Sequence, residues 1–161
     1  MEIARLIMAA CTLDQGWSVI RDHSNEFLWT DDEEPESRWN ELARKVGATA
    51  TLEIGWNGAR PELVLGDRTL PVPLVYDRDD AFIKIHSISQ IGAEILEIRF
   101  CHASAHSSDQ AYLACPPGDW IKLEQEFGVE AVAAQFLAIP SDVRAFAKLL
   151  YAPYAPPQWA G

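Results

Sequence analysis

The sequence predicts a single α+β domain: a mainly antiparallel sheet, with helices at both ends of the chain packed on one face. Three observations lead to this prediction. Strand patterns concentrate in the middle of the chain, helical patterns lie toward both ends, and no regular alternation of strand and helix occurs. The length of 161 residues is close to the usual size of one domain. We therefore expect one domain over residues 1–151 and a separate Pro-rich tail over residues 152–161.

The first 30 residues are predicted to form one helix and two short strands. Apolar residues between positions 3 and 10 recur at i, i+3, i+4 and i+7, the spacing of an amphipathic helix. Gly16 interrupts this pattern. Residues 17–21 and 26–30 then read as two strands that flank a short turn.

A second helix is predicted between Pro35 and Gly47. Proline suits the first helical position, where its missing N–H costs nothing, and glycine suits the position just past the end. Trp39 belongs to the apolar stripe between them and is expected to be buried. Glu41 and Lys45 are four residues apart on the outer side, where we expect an ion pair.

Residues 50–75, in the middle of the chain, are predicted to form an antiparallel meander of three strands. Three apolar residues ending at Trp56 alternate with polar residues or glycine, the period of a half-buried strand, so Trp56 is expected to be buried. The pair Asn57-Gly58 predicts a type I′ hairpin turn, because both central residues of that turn need positive φ. The pair Gly66-Asp67 predicts a second tight turn.

The remaining elements follow from the same kinds of pattern. Residues 82–91 fit a strand or a helix, and we expect a short helix. Two strands are predicted over residues 94–101 and 110–115, joined by a polar link. The last third of the chain carries three helical stripes. The second extends from Val129 to Phe136, and Ser141 is expected to cap the third.

Composition limits the class of protein. The chain has 24 acidic and 13 basic side chains, a formal charge of −11 at pH 7. A surface of that sign is unsuited to nucleic-acid phosphates or anionic lipid heads. No apolar run approaches the roughly 18 residues needed to span a membrane, and the N-terminal apolar run is too short for a signal peptide. We expect a cytoplasmic protein that binds neither nucleic acid nor membranes; the sequence does not indicate its oligomeric state.

The sequence carries little sign of catalysis. It has no P-loop, G-x-G-x-x-G, H-E-x-x-H, C-x-x-C or G-x-S-x-G motif, and it indicates no cofactor. Its three cysteines are too few and too scattered for a disulfide framework, so we expect reduced thiols. His102 and His106 would share a face if the link between the last two strands were helical, and a metal site there is the alternative. Small polar residues fill this link, which favours a solvated loop.

Acidic residues form clusters that exceed what helix capping requires. Negative charge at a helix N-terminus complements the helix dipole, but the run before the second helix has five carboxylates. Trp29 lies two residues before the first carboxylate of that run, and tryptophan is enriched at binding hot spots. The candidate partner-binding residues are Trp29, Asp31, Asp32, Glu33, Glu34, Glu36, Asp77, Asp79 and Asp80. A solvated surface without a partner is the alternative interpretation.

Two functions fit these observations. The first is a non-enzymatic binding module, specifically an acidic inhibitor whose carboxylates occupy the active groove of a basic protein. A bacterial immunity protein that neutralises a toxin such as a nuclease has this profile. The second is a small metal- or ligand-dependent enzyme that uses residues 102–115. The negative charge and the missing catalytic motifs favour the first, so we expect a basic protein partner and no catalysis.

Overall fold

The computed structural model describes residues 1–76 and 79–151, and these residues form an α+β fold, as predicted. The helices are α1 (Glu2–Ala9), α2 (Leu13–Asp22), α3 (Pro35–Lys45), α4 (Asp80–Ile91), α5 (Pro117–Phe127), α6 (Val129–Gln135) and α7 (Val143–Tyr151). The strands are β1 (Phe27–Trp29), β2 (Leu52–Asn57), β3 (Arg60–Leu65), β4 (Arg68–Pro71), β5 (Glu97–Cys101), β6 (Ala111–Cys115) and β7 (Phe136–Ala138). None of these helices has the length and apolar character needed to cross a bilayer. The predicted tail and the candidate residue Asp77 lie outside the described residues.

A four-stranded antiparallel sheet in the order β1-β6-β5-β7 forms the centre of the fold. Nearly every residue of β6 is buried, so both faces of this sheet require cover. Helices accordingly pack on both faces, whereas the sequence led us to expect them on one.

Each face of this sheet has its own hydrophobic core. The first core joins the sheet to α3, α4, α7 and a second, smaller sheet. Its members include Leu28, Trp39, Ile85, Ile88, Phe100, Tyr112 and Phe146. The second core joins the opposite face to α1, α2, α5 and α6. Its largest members are Ile7, Ile20, Phe27, Trp120, Leu123 and Phe136.

The second sheet is the predicted meander, β2-β3-β4, and it is separate from the four-stranded sheet. Its first hairpin has the two-residue loop Gly58–Ala59, since Asn57 pairs with Arg60. Positive φ occurs at Gly58 (64°) but not at Ala59, which fits a type II′ turn rather than the predicted type I′. The prediction that Trp56 is buried is wrong: 65% of its surface is exposed, because the hairpin extends past the first core.

Residues 17–21 form part of α2, so the prediction of a strand there is wrong. Thr12 caps this helix by accepting a hydrogen bond from the Gln15 N–H (3.2 Å). Gly16 does not break the helix. A Cβ at this position would lie 3.2 Å from the Cβ of Ala103, so glycine allows α2 to pack closely on the residues that follow β5.

Two predictions for the last third of the chain are also corrected. Phe136 belongs to β7 rather than to a helix, because it pairs with Cys101 at the edge of the four-stranded sheet. The N-terminus of α7 is capped by Asp142, whose Oδ1 accepts from the Arg144 N–H (3.0 Å), and not by Ser141.

The ion pair predicted between Glu41 and Lys45 does not form. Glu41 pairs with Arg38 one turn earlier (2.9 Å), and Lys45 reaches across to Glu26 (3.0 Å). A lysine side chain is long enough to leave its own helix, so spacing along the helix alone did not determine its partner.

Candidate functional site

A surface cleft of about 460 Å³ lies at one end of the four-stranded sheet. Two of its walls come from α2 and from the turn between β1 and α3. A third comes from the loop between β5 and β6. The lining residues are Trp17, Ser24, Asn25, Trp29, Asp31, Asp32, Arg38, Ser107, Ser108 and Asp109. The cleft therefore combines two tryptophans and three carboxylates with a single arginine.

The two tryptophans stand edge to face. Their ring centroids are 6.1 Å apart and the rings are inclined at 78°. The indole N–H of Trp29 donates to the carbonyl of Ser24 (2.8 Å), which fixes the orientation of that ring. Both rings are half-buried, and the guanidinium carbon of Arg21 lies 6.0 Å from the centroid of the Trp17 ring. An aromatic face in this position attracts cations through its quadrupole.

Asp32 holds the turn at the floor of the cleft. Its Oδ2 accepts from the backbone N–H of Trp29 (2.8 Å), and its own N–H donates to the Trp29 carbonyl (3.1 Å). Burial raises the pKa of this carboxyl group. The Trp29 N–H and Arg38 counteract part of that rise, while the charge of Asp31 adds to it. The cleft thus contains a carboxylate that is short of solvation and would be stabilised by a further positive charge.

The loop between β5 and β6 is ordered by its own serines. Ser104 donates to the carbonyl of Cys101 (2.7 Å) and accepts from the Ala111 N–H (2.9 Å). Ser107 donates to the carbonyls of Ser104 and Asp109. These bonds replace the strand ladder where the chain leaves β5 and before it enters β6.

Two hydrogen bonds join this loop to the acidic turn. The Thr30 N–H donates to the Gln110 carbonyl (3.2 Å), and the Gln110 N–H donates to Oγ1 of Thr30 (3.0 Å). They extend the pairing of β1 with β6 by one residue on each strand. Asp109 is thereby placed on the same cleft as Asp31 and Asp32.

The structure brings together only part of the predicted binding set. Trp29, Asp31 and Asp32 line the cleft, whereas Glu33, Glu34, Glu36, Asp79 and Asp80 are not among its lining residues. Asp80 has a structural contact instead. Its Oδ1 accepts from the backbone N–H groups of Val75 (2.8 Å) and Tyr76 (3.2 Å).

Sequence reasoning missed the contribution of Trp17 and of the β5–β6 loop to this cleft. A signal for Trp17 was present. Thr12 and Gln15 have the spacing of a capping box, and the Gln15 side chain accepts from the Cys11 N–H (2.8 Å). Reading this signal would have placed Trp17 on a helix. The loop gave no comparable signal, because its position depends on strand pairing.

The histidines of the metal alternative lie in the loop between β5 and β6, and two buried cysteines lie in the strands on either side of it. Burial, and then the charge of His106, lowers the pKa of His102, which favours the neutral imidazole that a metal would require. Burial raises the pKa of Cys101, and that of Cys115 to about 11, so both groups stay as thiols. Within residues 1–76 and 79–151, no three histidine, cysteine or acidic side chains are grouped to bind a metal ion.

Comparison of the chain with known protein families, with curated proteins and with solved structures gave no match. The carboxylates of the cleft accept hydrogen bonds and its ring faces attract cations, so a guanidinium or ammonium group is the ligand that it suits.

Proposed function

We propose that this domain is a non-enzymatic binding module that receives an arginine or lysine side chain of a basic protein in the cleft. The observation that carries the proposal is the grouping of Asp31, Asp32 and Asp109 beside Trp17 and Trp29. Arginine and tryptophan contacts dominate many protein interfaces. A cation bound here would also relieve the incomplete solvation of Asp32.

An internal arginine of the same chain supports this chemistry. The guanidinium carbon of Arg99 lies 4.5 Å from the ring centroid of Trp120. Its nitrogens pair with Glu97 (3.1 Å) and Glu124 (2.8 Å). One aromatic face and two carboxylates thus hold a guanidinium within this fold, and the cleft presents the same kinds of group to a partner.

We further propose that the basic partner is inhibited by this binding. A chain with a formal charge of −11 attracts a basic partner at long range and accelerates association. A protein whose active groove is lined with arginine and lysine for a phosphate substrate would be blocked by carboxylates placed in that groove. A bacterial immunity protein acting on a nuclease toxin is the specific form of this proposal.

The cation site is tested by titrating isotope-labelled protein with a capped Gly-Arg-Gly peptide. The indole N–H signals of Trp17 and Trp29 are followed by NMR. We expect both signals to shift, and a peptide with citrulline in place of arginine to leave them unchanged. Citrulline keeps the shape of arginine but lacks its charge. Equal shifts with both peptides would refute the electrostatic mechanism.

The role of the carboxylates is tested with a triple variant, Asp31→Asn, Asp32→Asn and Asp109→Asn. A matched control neutralises three carboxylates elsewhere, Asp67→Asn, Glu94→Gln and Glu130→Gln, and changes the net charge equally. The wild type is expected to capture a basic partner from native lysate at low salt and to release it at high salt. We expect only the cleft variant to lose this partner. Equal retention by both variants would place the interface elsewhere.

A further inference from the structure

The β2 strand lies at the edge of the meander, and within residues 1–76 and 79–151 it pairs only with β3. At its start, the Asn40 side chain accepts from the Leu52 N–H and donates to the Leu52 carbonyl, both at 2.8 Å. The main-chain groups of Leu52 therefore point away from β3. Since this direction alternates along an antiparallel strand, those of Ile54 and Trp56 point to the same open edge.

This edge has one apolar face. Ile54 is paired with Leu63, and Trp56 with Pro61, so all four side chains lie on one face of the meander. The first core covers this face near Leu52. At the hairpin end, Ile54 is 42% exposed and Trp56 is 65% exposed. An exposed apolar pair beside unpaired main-chain groups is the arrangement to which an extended peptide adds as a strand.

The opposite face of the same edge carries two carboxylates near Gly55, with Arg60 on the same face at the hairpin turn. Gly55 is paired with Glu62, and a Cβ at Gly55 would lie 3.7 Å from Oε1 of Glu62. The half-buried Glu62 side chain therefore lies beside Gly55, where no side chain separates it from the open edge. Glu53 is exposed on the same face. Among the described residues, neither carboxylate has an ion-pair partner.

We propose that β2 binds an extended segment of a partner protein, in which apolar residues alternate with lysine or arginine, as an added antiparallel strand. Residues opposite Ile54 and Trp56 would exchange main-chain hydrogen bonds and place apolar side chains on the exposed pair. A basic residue opposite Gly55 would reach Glu62 and Glu53. This surface shares no residue with the cleft, so the proposal goes beyond the proposed function and can fail separately from it.

Charge argues for such a segment and against a second copy of the chain. A two-fold axis at Gly55 would pair Ile54 with Trp56 of the other copy. It would also place Glu62 of both copies on one face, on either side of the two Gly55 residues, between two chains that each carry a formal charge of −11. A basic strand satisfies the same main-chain groups and neutralises both carboxylates.

The test uses a short capped peptide of alternating valine and lysine, with a peptide of alternating valine and glutamate as its control. We expect only the lysine peptide to bind. In hydrogen-exchange NMR, bound lysine peptide should slow exchange of the Ile54 and Trp56 amides by about tenfold, because each amide gains a stable hydrogen bond. Binding of both peptides, or binding without protection of these amides, would overturn the proposal.

Two variants probe the two faces of the edge. The double variant Glu53→Gln and Glu62→Gln should weaken binding of the lysine peptide by about tenfold. Trp56→Lys, at an exposed position that leaves the first core intact, should abolish its binding. The triple cleft variant should bind the peptide as the wild type does. A dimer in analytical ultracentrifugation that Trp56→Lys dissociates would show the edge to be a self-interface and refute the proposal.

Discussion

The two sheets of this protein have similar alternating sequences but differ in how they are covered. Phe100 in β5 is 6% exposed, whereas Trp56 in β2 is 65% exposed, although both occupy apolar positions of an alternating strand. The four-stranded sheet has helices on both faces, and the hairpin of the meander extends past the only core that it contacts among the described residues. Alternation determines which way a side chain faces, and the neighbouring elements determine whether it is buried.

The largest expected effect comes from replacing one tryptophan in each region. Trp120 is fully buried in the second core, contacts Phe136 (5.2 Å between ring centroids) and donates to the Glu97 carbonyl (2.9 Å). We expect Trp120→Ala to lower the free energy of unfolding by about 3–5 kcal/mol. The same change at Trp56 should cost about 0.5 kcal/mol or less. Urea denaturation of both variants measures this difference, and equal losses would mean that the hairpin packs on the rest of the fold.

The second effect tests the core that the two sheets share. A Cβ at Gly92 would lie 2.8 Å from the Trp39 indole, a rigid group at the centre of the first core. We expect Gly92→Ala to destabilise the protein by about 1–3 kcal/mol through overpacking. Gly118→Ala is the matched control, because a Cβ there meets nothing within 4 Å. If both variants were equally stable, Trp39 would be free to shift and the first core would be loosely packed.

The third effect separates the stability of the meander from that of the four-stranded sheet. Asn40 makes two side-chain hydrogen bonds to Leu52, so Asn40→Ala should cost about 1–2 kcal/mol. We expect amide exchange to accelerate in β2 and β3 more than in β5 and β6. Asn57→Ala, a change at an exposed asparagine of the same hairpin, should leave amide exchange unchanged in both sheets. Uniform acceleration would indicate that the two sheets unfold as one unit.

Much of the fold could be predicted because it depends on local patterns. Capping and periodicity were sufficient for α1, α3 and the three strands of the meander. The misassigned segments have two different causes. Residues 17–21 carried a local signal, the capping pattern of Thr12 and Gln15, which Gly16 outweighed in the sequence analysis. Phe136 extends a sheet because Cys101, which is distant in sequence, lies beside it.

The cleft was partly predictable for the same reason. Trp29, Asp31 and Asp32 are neighbours along the chain, so their clustering is visible in the sequence. Asp109 joins them only because β1 pairs with β6, and that pairing is non-local. Asp80 also lies in an acidic cluster of the sequence, but its carboxylate accepts hydrogen bonds from backbone N–H groups. Only these hydrogen bonds distinguish it from the carboxylates that line the cleft.

The smallest expected effect lies in the cleft at the end of the four-stranded sheet, where the proposed binding of a cation and the stability of the fold would have opposite requirements. Burial raises the pKa of Asp32, so the folded protein holds this proton more tightly than the unfolded chain does. The resulting contribution to stability is present below the ordinary carboxyl pKa and is lost as the pH rises through the folded value. At neutral pH the ionised group therefore costs stability, by less than about 1 kcal/mol because water screens a half-exposed group.

Asp32→Asn should accordingly be slightly more stable than the wild type at pH 7, since asparagine keeps an oxygen that can accept from the Trp29 N–H. The difference should shrink as the pH falls below the ordinary carboxyl pKa, where Asp32 is also neutral. Thermal unfolding of both proteins across this pH range measures the difference. Asp67→Asn is the control, because it removes one exposed charge from the same acidic chain. A loss of stability at pH 7 relative to that control would mean that the charge stabilises the turn. A gain, together with weaker binding of the arginine peptide, would show that the cleft keeps a carboxylate for binding at the expense of stability.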